Sequence, residues 1–441
     1  MAIESTASDK IMICISTRGQ APAISFCEAV LKGLAPDGGL YVPEKITPQP
    51  ADWWASLRGK PFQEVAAAMA GVLVGDEIEA SALTAIVHDA LNFSVPLRRL
   101  DVGLQMLELF HGPTFAFKDV GARFLARLMS HLHGGGETPL TVLVATSGDT
   151  GSAVAQAFFD VPRSRVVILY PEGHVTAVQE AQFTTLGGNV TAIAVSGAFD
   201  DCQRLAKEAF ADPGISGRLR LTSANSISLG RLLPQMFYYG YSALQVPRTS
   251  RVLFSVPSGN FGNLAAGVMA WRLGAPIDHF VAATTINDTV HRYFASGVYE
   301  PRPSVPTLAN AMDVGNPSNF ERLQWLFSGD LQRMRATIDT SVHSDDQAKD
   351  AILDLFDRFR VTADPHTAIS YLGATRGEDY GTSARPHFFM ATAHPAKFRE
   401  VVEPVIGQDV PLPAALAEAL ARPRIVQRLA TPTLSELAKL L

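Results

Sequence analysis

The sequence predicts an α/β fold of two lobes preceded by a mainly helical N-terminal extension. Three observations carry that prediction. From about residue 100 onward, short apolar runs alternate with helical patterns, as in parallel β/α units. Several of those runs are nearly continuous Val, Ile, Leu, Phe and Ala, the pattern of strands covered on both faces. The first 95 residues show helical patterns and little strand alternation.

In chain order, residues 1–95 form the N-terminal region, with the turn cluster Ala35-Pro36-Asp37-Gly38-Gly39 ahead of helical patterns. Residues 96–240 are assigned to a smaller lobe and residues 241–441 to a larger one. Leu140–Ala145, Arg165–Leu169, Val190–Val195, Arg251–Val256, His279–Thr284 and His387–Thr392 are the expected strands. Between them, Lys118 to Leu132 places Phe124, Leu125, Leu128, Met129 and Leu132 on one helical stripe. Ser152–Phe159 and the small, apolar stretch Asn263–Leu273 are further helices. Residues 290–350 read as helical with polar insertions, and the last thirty as a Pro- and Ala-rich tail around a helix.

Composition narrows the function. Of 441 residues, 47% are hydrophobic and 18% charged, which is below the typical charged share of about 25% and enough to build a large core. Basic residues number 37 against 43 acidic ones, for a net charge of −6, and no long basic run occurs. Nucleic acid and anionic membranes are therefore not expected as partners. Cys14, Cys27 and Cys202 show no CxxC spacing, so neither a disulfide scaffold nor a cysteine metal site is implied. Glu4, Asp9 and Lys10 interrupt the N-terminus, which has no signal-peptide core. The uncharged stretch Val252–Trp271 contains Pro257, Ser258, Gly259, Asn260, Gly262 and Asn263, and reads as strand, loop and helix rather than a membrane span. A cytoplasmic location is expected.

Four segments can carry chemistry. Lys118 follows the run Leu107-Glu108-Leu109-Phe110-His111-Gly112-Pro113-Thr114-Phe115-Ala116-Phe117 and opens a helix. Apolar surroundings and a helix N-terminus both disfavour its ammonium form, and a neutral amine is what Schiff-base chemistry needs. A lysine snorkelling from a helix start fits the same pattern. Ser255–Asn263 joins a strand to a helix through two glycines, a geometry suited to an anion, although a plain α/β turn reads alike. Thr146-Ser147-Gly148-Asp149-Thr150-Gly151 is a second anion-ready helix start, or an ordinary cap. Ala391-Thr392-Ala393-His394-Pro395-Ala396-Lys397 ends an apolar strand, where α/β enzymes place ligands. His131 and His133 lack a third ligand at useful spacing, so no metal is expected.

Together these segments resemble the threonine synthases, pyridoxal-phosphate enzymes of the tryptophan-synthase-β fold (fold type II). The resemblance spans nearly the whole chain. Ser16–Gly19 and Ala35–Glu44 are similar to the family's N-terminal signature, and Glu108–Asp119 to its cofactor-lysine segment. Ala145–Gly151, Ser223–Ile227, Ser255–Asn263, Asn310–Asn316 and Ala391–Phe398 follow in family order. Two places depart from the family pattern near the expected substrate region: Thr285 in Thr285-Ile286-Asn287-Asp288 and Ser228 in Ser226-Ile227-Ser228.

The resemblance implies that Lys118 binds pyridoxal 5'-phosphate as a Schiff base and shuttles protons. Gly259, Asn260, Phe261 and Asn263 would hold the cofactor phosphate, and Thr392 would contact the ring nitrogen. Ser147, Asp149 and Thr150 would surround the substrate carboxylate and the ring hydroxyl, with Asn225 and Arg231 at the substrate phosphate. It implies the conversion of O-phospho-L-homoserine and water to L-threonine and phosphate. The alternative is a family phospho-lyase releasing 2-oxobutyrate, ammonia and phosphate. A monomer or weak dimer is expected.

Overall fold

The computed structural model describes residues 11–133, 139–376 and 385–441, so the expectation for the extreme N-terminus lies outside the described residues. Two sheets dominate. The larger has six strands in the order Ile338–Val342, Ile277–Thr284, Val252–Pro257, His387–Ala391, Leu104–Glu108, Leu97–Asp101. All neighbours pair in parallel except the last two, which form an antiparallel hairpin. The smaller is wholly parallel, in the order Gln427–Leu429, Val190–Val195, Ser164–Pro171, Leu140–Ala145, Leu221–Thr222.

The burial of these strands explains their composition. Every residue of Leu140–Ala145 and of His387–Ala391 is buried, because helices cover both faces. Helix Lys118–His133 buries Phe124, Leu125, Leu128 and Met129, while Leu132 near its end is only partly covered. Helix Pro365–Ala374 is fastened to the larger sheet by reciprocal bonds. The Ser255 hydroxyl donates to the Ser370 carbonyl at 2.6 Å and the Ser370 hydroxyl to the Ser255 carbonyl at 2.8 Å.

The sheets draw on both of the segments 96–240 and 241–441. Leu97–Asp101 and Leu104–Glu108 join the six-stranded sheet, whereas the C-terminal strand Gln427–Leu429 returns to the five-stranded one. The tail also holds two helices, Ala414–Ala421 and Leu434–Leu440. The N-terminal region is helical at Phe26–Lys32, Ala51–Ser56, Phe62–Val74 and Ala80–Ala90. It also carries a three-stranded antiparallel sheet of Ile13–Ser16, Ile24–Ser25 and Tyr41–Pro43. Strands of two to four residues are too short to show alternation.

Arg322, fully buried in helix Phe320–Leu326, ties that region to the lobes. Its guanidinium donates to the carbonyls of Tyr41 at 3.2 Å, Ser226 at 2.9 Å and Ile227, and to Asn319 Oδ1 at 2.6 Å. Replacing it with leucine strands three buried carbonyls without a donor, for which we expect a loss of about 3–5 kcal/mol. Urea unfolding of Arg322→Leu beside the wild type measures this.

Candidate active site

Every segment singled out in the sequence leaves a strand at its carboxyl end. In the larger sheet, Val252–Pro257, His387–Ala391 and Leu104–Glu108 are adjacent and parallel. They lead respectively into Ser258–Asn263, Thr392–Lys397 and the approach to Lys118. In the smaller sheet, Leu140–Ala145 and Leu221–Thr222 are adjacent and lead into Ser147–Thr150 and Asn225. Parallel pairing thus collects residues up to nearly 300 positions apart at one edge.

Lys118 is the first residue of its helix. The chain before it turns through Phe115, at φ 58°, and then runs beside the residues after the central strand. The Phe117 N–H donates to the Thr392 carbonyl at 2.9 Å, the His394 N–H to the Phe115 carbonyl at 3.0 Å, and Ala116 bridges Ala393. Lys118 and Thr392 are therefore neighbours. Lys118 is half-buried, reachable by a small molecule yet densely enclosed, and its amine has no hydrogen-bond or ion-pair partner among the described residues. Burial pushes the ammonium down to about 8. Arg231 and Lys397 act in the same direction, and Asp149 opposes them.

Ser258–Asn263 forms a row of unused donors. Among the described residues, the backbone N–H groups from Gly259 to Leu264 have no acceptor, and the last three open helix Gly262–Arg272. Gly259 is required because a Cβ there would lie 2.4 Å from the Met312 Cα. The asparagine side chains are engaged elsewhere. Asn260 donates to Ser226 Oγ at 2.7 Å and accepts from the Ser318 N–H at 2.7 Å. Asn263 accepts from the buried Tyr238 and Tyr239 hydroxyls at 2.6 and 2.8 Å. What faces a ligand is therefore backbone, a cradle for an anion such as a phosphate.

The second loop follows Leu140–Ala145. Helix Asp149–Phe158 begins three residues earlier than its apolar pattern suggested, which puts Asp149 and Thr150 in its first turn. The N–H groups of Ser147, Asp149 and Thr150 lack acceptors among the described residues, whereas those of Gly148 and Gly151 bond to the Thr146 hydroxyl at 3.0 and 2.7 Å. Gly148 sits at φ 136°, with Gln179 where a side chain would go. Burial alone would raise the Asp149 carboxyl, but Lys397 and Lys118 outweigh it and hold the group well below the usual carboxylate range.

Arg231 is buried, with one nitrogen on the Ala224 carbonyl at 2.6 Å and its Nε unpartnered. It lies within electrostatic reach of Lys118. Asn225 donates its amide to the Ala145 carbonyl at 2.8 Å, which leaves its side-chain oxygen free among the described residues. Of the two departures, Thr285 is buried and accepts from the Asn287 side chain at 3.1 Å, which in turn donates to Asp313 at 3.1 Å. Ser228 is buried with an unpartnered hydroxyl.

Sequence reading gave no role to Lys397 or Gln179, both fully buried at this site. Lys397 contacts Asp149 at 2.7 Å, and Gln179 donates to the same oxygen at 3.0 Å. The only available signal was a lysine inside the apolar run Pro395–Phe398. No group of described residues has the composition and spacing to hold a metal ion, and no described helix is long and apolar enough to cross a membrane.

An enclosed lysine, an unpartnered hydroxyl at Thr392 and a backbone anion cradle together suit pyridoxal phosphate, with its aldehyde, ring nitrogen and phosphate. Residues 95–384 match the family model for pyridoxal-phosphate-dependent enzymes, which defines the class. Residues 14–91 match the threonine synthase N-terminal model and residues 367–440 the threonine synthase C-terminal model. The chain belongs to the threonine synthase family. It is 42% identical to the threonine synthase of Serratia marcescens, over 89% of this chain and 91% of the relative. The crystal structure of Escherichia coli threonine synthase superposes with a TM-score of 0.91 at 38% identity, covering 97% of this chain and 99% of that one. The pyridoxal-phosphate-bound threonine synthase of Brucella melitensis also gives 0.91, at 36% identity, over 97% and 98%.

The lowered lysine pKa has a direct consequence. Capture of pyridoxal phosphate by enzyme stripped of it needs the neutral amine, so its rate should rise about tenfold per pH unit and level off above about 8. An ordinary lysine would keep accelerating beyond pH 10. Stopped-flow absorbance between pH 6 and about 10 distinguishes the two.

Proposed function

We propose that the protein converts O-phospho-L-homoserine and water into L-threonine and phosphate, with Lys118 as the cofactor lysine and proton carrier. One observation carries this reading: the free amine of Lys118 lies beside Thr392 at the edge where the Gly259–Leu264 donor row opens. In this reading the backbone of Gly259, Asn260, Phe261 and Asn263 holds the cofactor phosphate, because the two asparagine side chains are engaged within the protein. Thr392 presents its hydroxyl to the ring nitrogen, a neutral partner rather than an acidic one.

Pyridoxal phosphate, when bound, supplies the electron sink for the charge left as the substrate Cα loses its proton. Lys118 Nζ takes that proton, since a neutral amine in an enclosed site is a competent base near pH 8. Ser147 and Thr150 direct N–H groups at the substrate carboxylate, while Asp149, already neutralised by Lys397, faces the ring hydroxyl. Asn225 and Arg231 bind the substrate phosphate, and the unpartnered Arg231 Nε is the donor that favours this assignment. Lys118 then moves the Cβ proton, phosphate leaves Cγ, and water adds at Cβ. Enclosure of the site keeps water from reaching the substrate early.

We further propose a cytoplasmic setting, supported by three unpaired cysteines, two of them buried. The proposed monomer or weak dimer is checked by sedimentation velocity.

Product analysis tests the reaction. Wild type should give threonine and phosphate in equal amounts, and Lys118→Ala neither. Phosphate with 2-oxobutyrate and no threonine would move the assignment to a phospho-lyase. Arg231→Gln should raise KM for the phosphorylated substrate roughly 10–100-fold while leaving the cofactor absorbance in place, as expected for a lost charge-assisted bond of about 1.5–3 kcal/mol.

A further inference from the structure

Lys397 is a lysine with no exposed surface, and its two contacts join the two lobes. Its Nζ lies 2.7 Å from Asp149 Oδ1, at the end of the smaller sheet's strand Leu140–Ala145. It also donates at 2.9 Å to the Thr114 carbonyl, in the segment that leads to Lys118. Lys397 itself belongs to the short helical turn that follows Thr392. One ammonium thus fastens together three of the segments that build the site. Neutral donors complete the arrangement: Gln179 to Asp149 at 3.0 Å and Gln182 to the Thr114 carbonyl at 3.1 Å.

A buried lysine is costly unless paired, so a purely structural tie at this point would be better made by neutral groups. A charge here instead changes what Lys118 experiences. The charged groups around Lys118 are Asp149, Arg231 and Lys397, and Asp119 faces Arg231 and Lys397 from one residue further along the helix. Asp149 is the one anion acting directly on Lys118, and its charge is shared with Lys397.

We propose that Lys397 is a positioning residue that neutralises Asp149 and holds it against the Lys118 segment, thereby setting the protonation of the nitrogen through which Lys118 binds the cofactor. This rests on the reading of Lys118 as the cofactor lysine.

The test is a double-variant cycle read by pH titration of the visible absorbance of the holoenzyme, without substrate. Lys397→Gln leaves Asp149 unbalanced, and the absorbance midpoint should move up by about 1 pH unit or more. Asp149→Asn leaves Lys397 unbalanced and should move it down. The double variant, with neither charge, should return close to the wild-type midpoint, and Gln179→Leu, which removes only a neutral donor, should leave it in place. Should Lys397→Gln not fold, Asp149→Asn and the double variant still decide, because the double variant removes both buried charges together. An unmoved midpoint in Lys397→Gln, or a double variant that stays at the Asp149→Asn value, would overturn the proposal. Failure of the underlying reading looks different: Lys118→Ala would then keep the wild-type titration.

Discussion

Parallel pairing is the constraint on which everything else in this structure depends. A parallel strand must be followed by a crossover, and every crossover leaves the sheet at the same edge. Five loops from distant parts of the chain therefore emerge side by side, and each carries a group with unused bonding capacity. The interior strands pair on both sides and are covered by helices, so the edge that carries the loops is rigid. The Ser255–Ser370 clasp shows how firmly a covering helix is seated beneath the donor row.

At that edge, side chains and backbone divide the work. Asn260 and Asn263 resemble ligands in the sequence, yet both are internal braces, one reaching Ser226 and Ser318 and the other held by two tyrosines. Bracing them fixes the backbone, and the backbone presents the donors. Asp149 follows the same logic with charge: two neighbouring lysines keep it ionised, while a third polar group, Gln179, fixes its direction. Preorganisation of this kind lowers the reorganisation needed when charge appears in a reaction.

Much of this was legible in the sequence because the features concerned are local. The runs Leu140–Ala145 and Val190–Val195 are apolar throughout, and the structure places strands over those same residues. Lys118, Ser147–Thr150 and Gly259–Asn263 announce themselves as turns opening helices. What escaped is non-local or too short. Ile338–Val342 reads as polar because it is an edge strand with one face partly open. Leu97–Asp101 contains Arg98 and Arg99 and pairs only with its own hairpin partner. Lys397 looked like one more surface lysine, and only the fold brings it to Asp149, 248 positions earlier.

The placement of the last strands also determines when the molecule can finish itself during synthesis. His387–Ala391 lies in the middle of the larger sheet, so Leu104–Glu108 and Val252–Pro257 have no common neighbour until almost nine-tenths of the chain has left the ribosome. The smaller sheet waits longer still, with the outer edge of Val190–Val195 open until Gln427–Leu429 arrives. A nascent chain of this topology therefore carries exposed strand edges for most of its translation and closes both sheets only near release. Truncation near the C-terminus accordingly strikes assembly of both lobes rather than trimming an appendage.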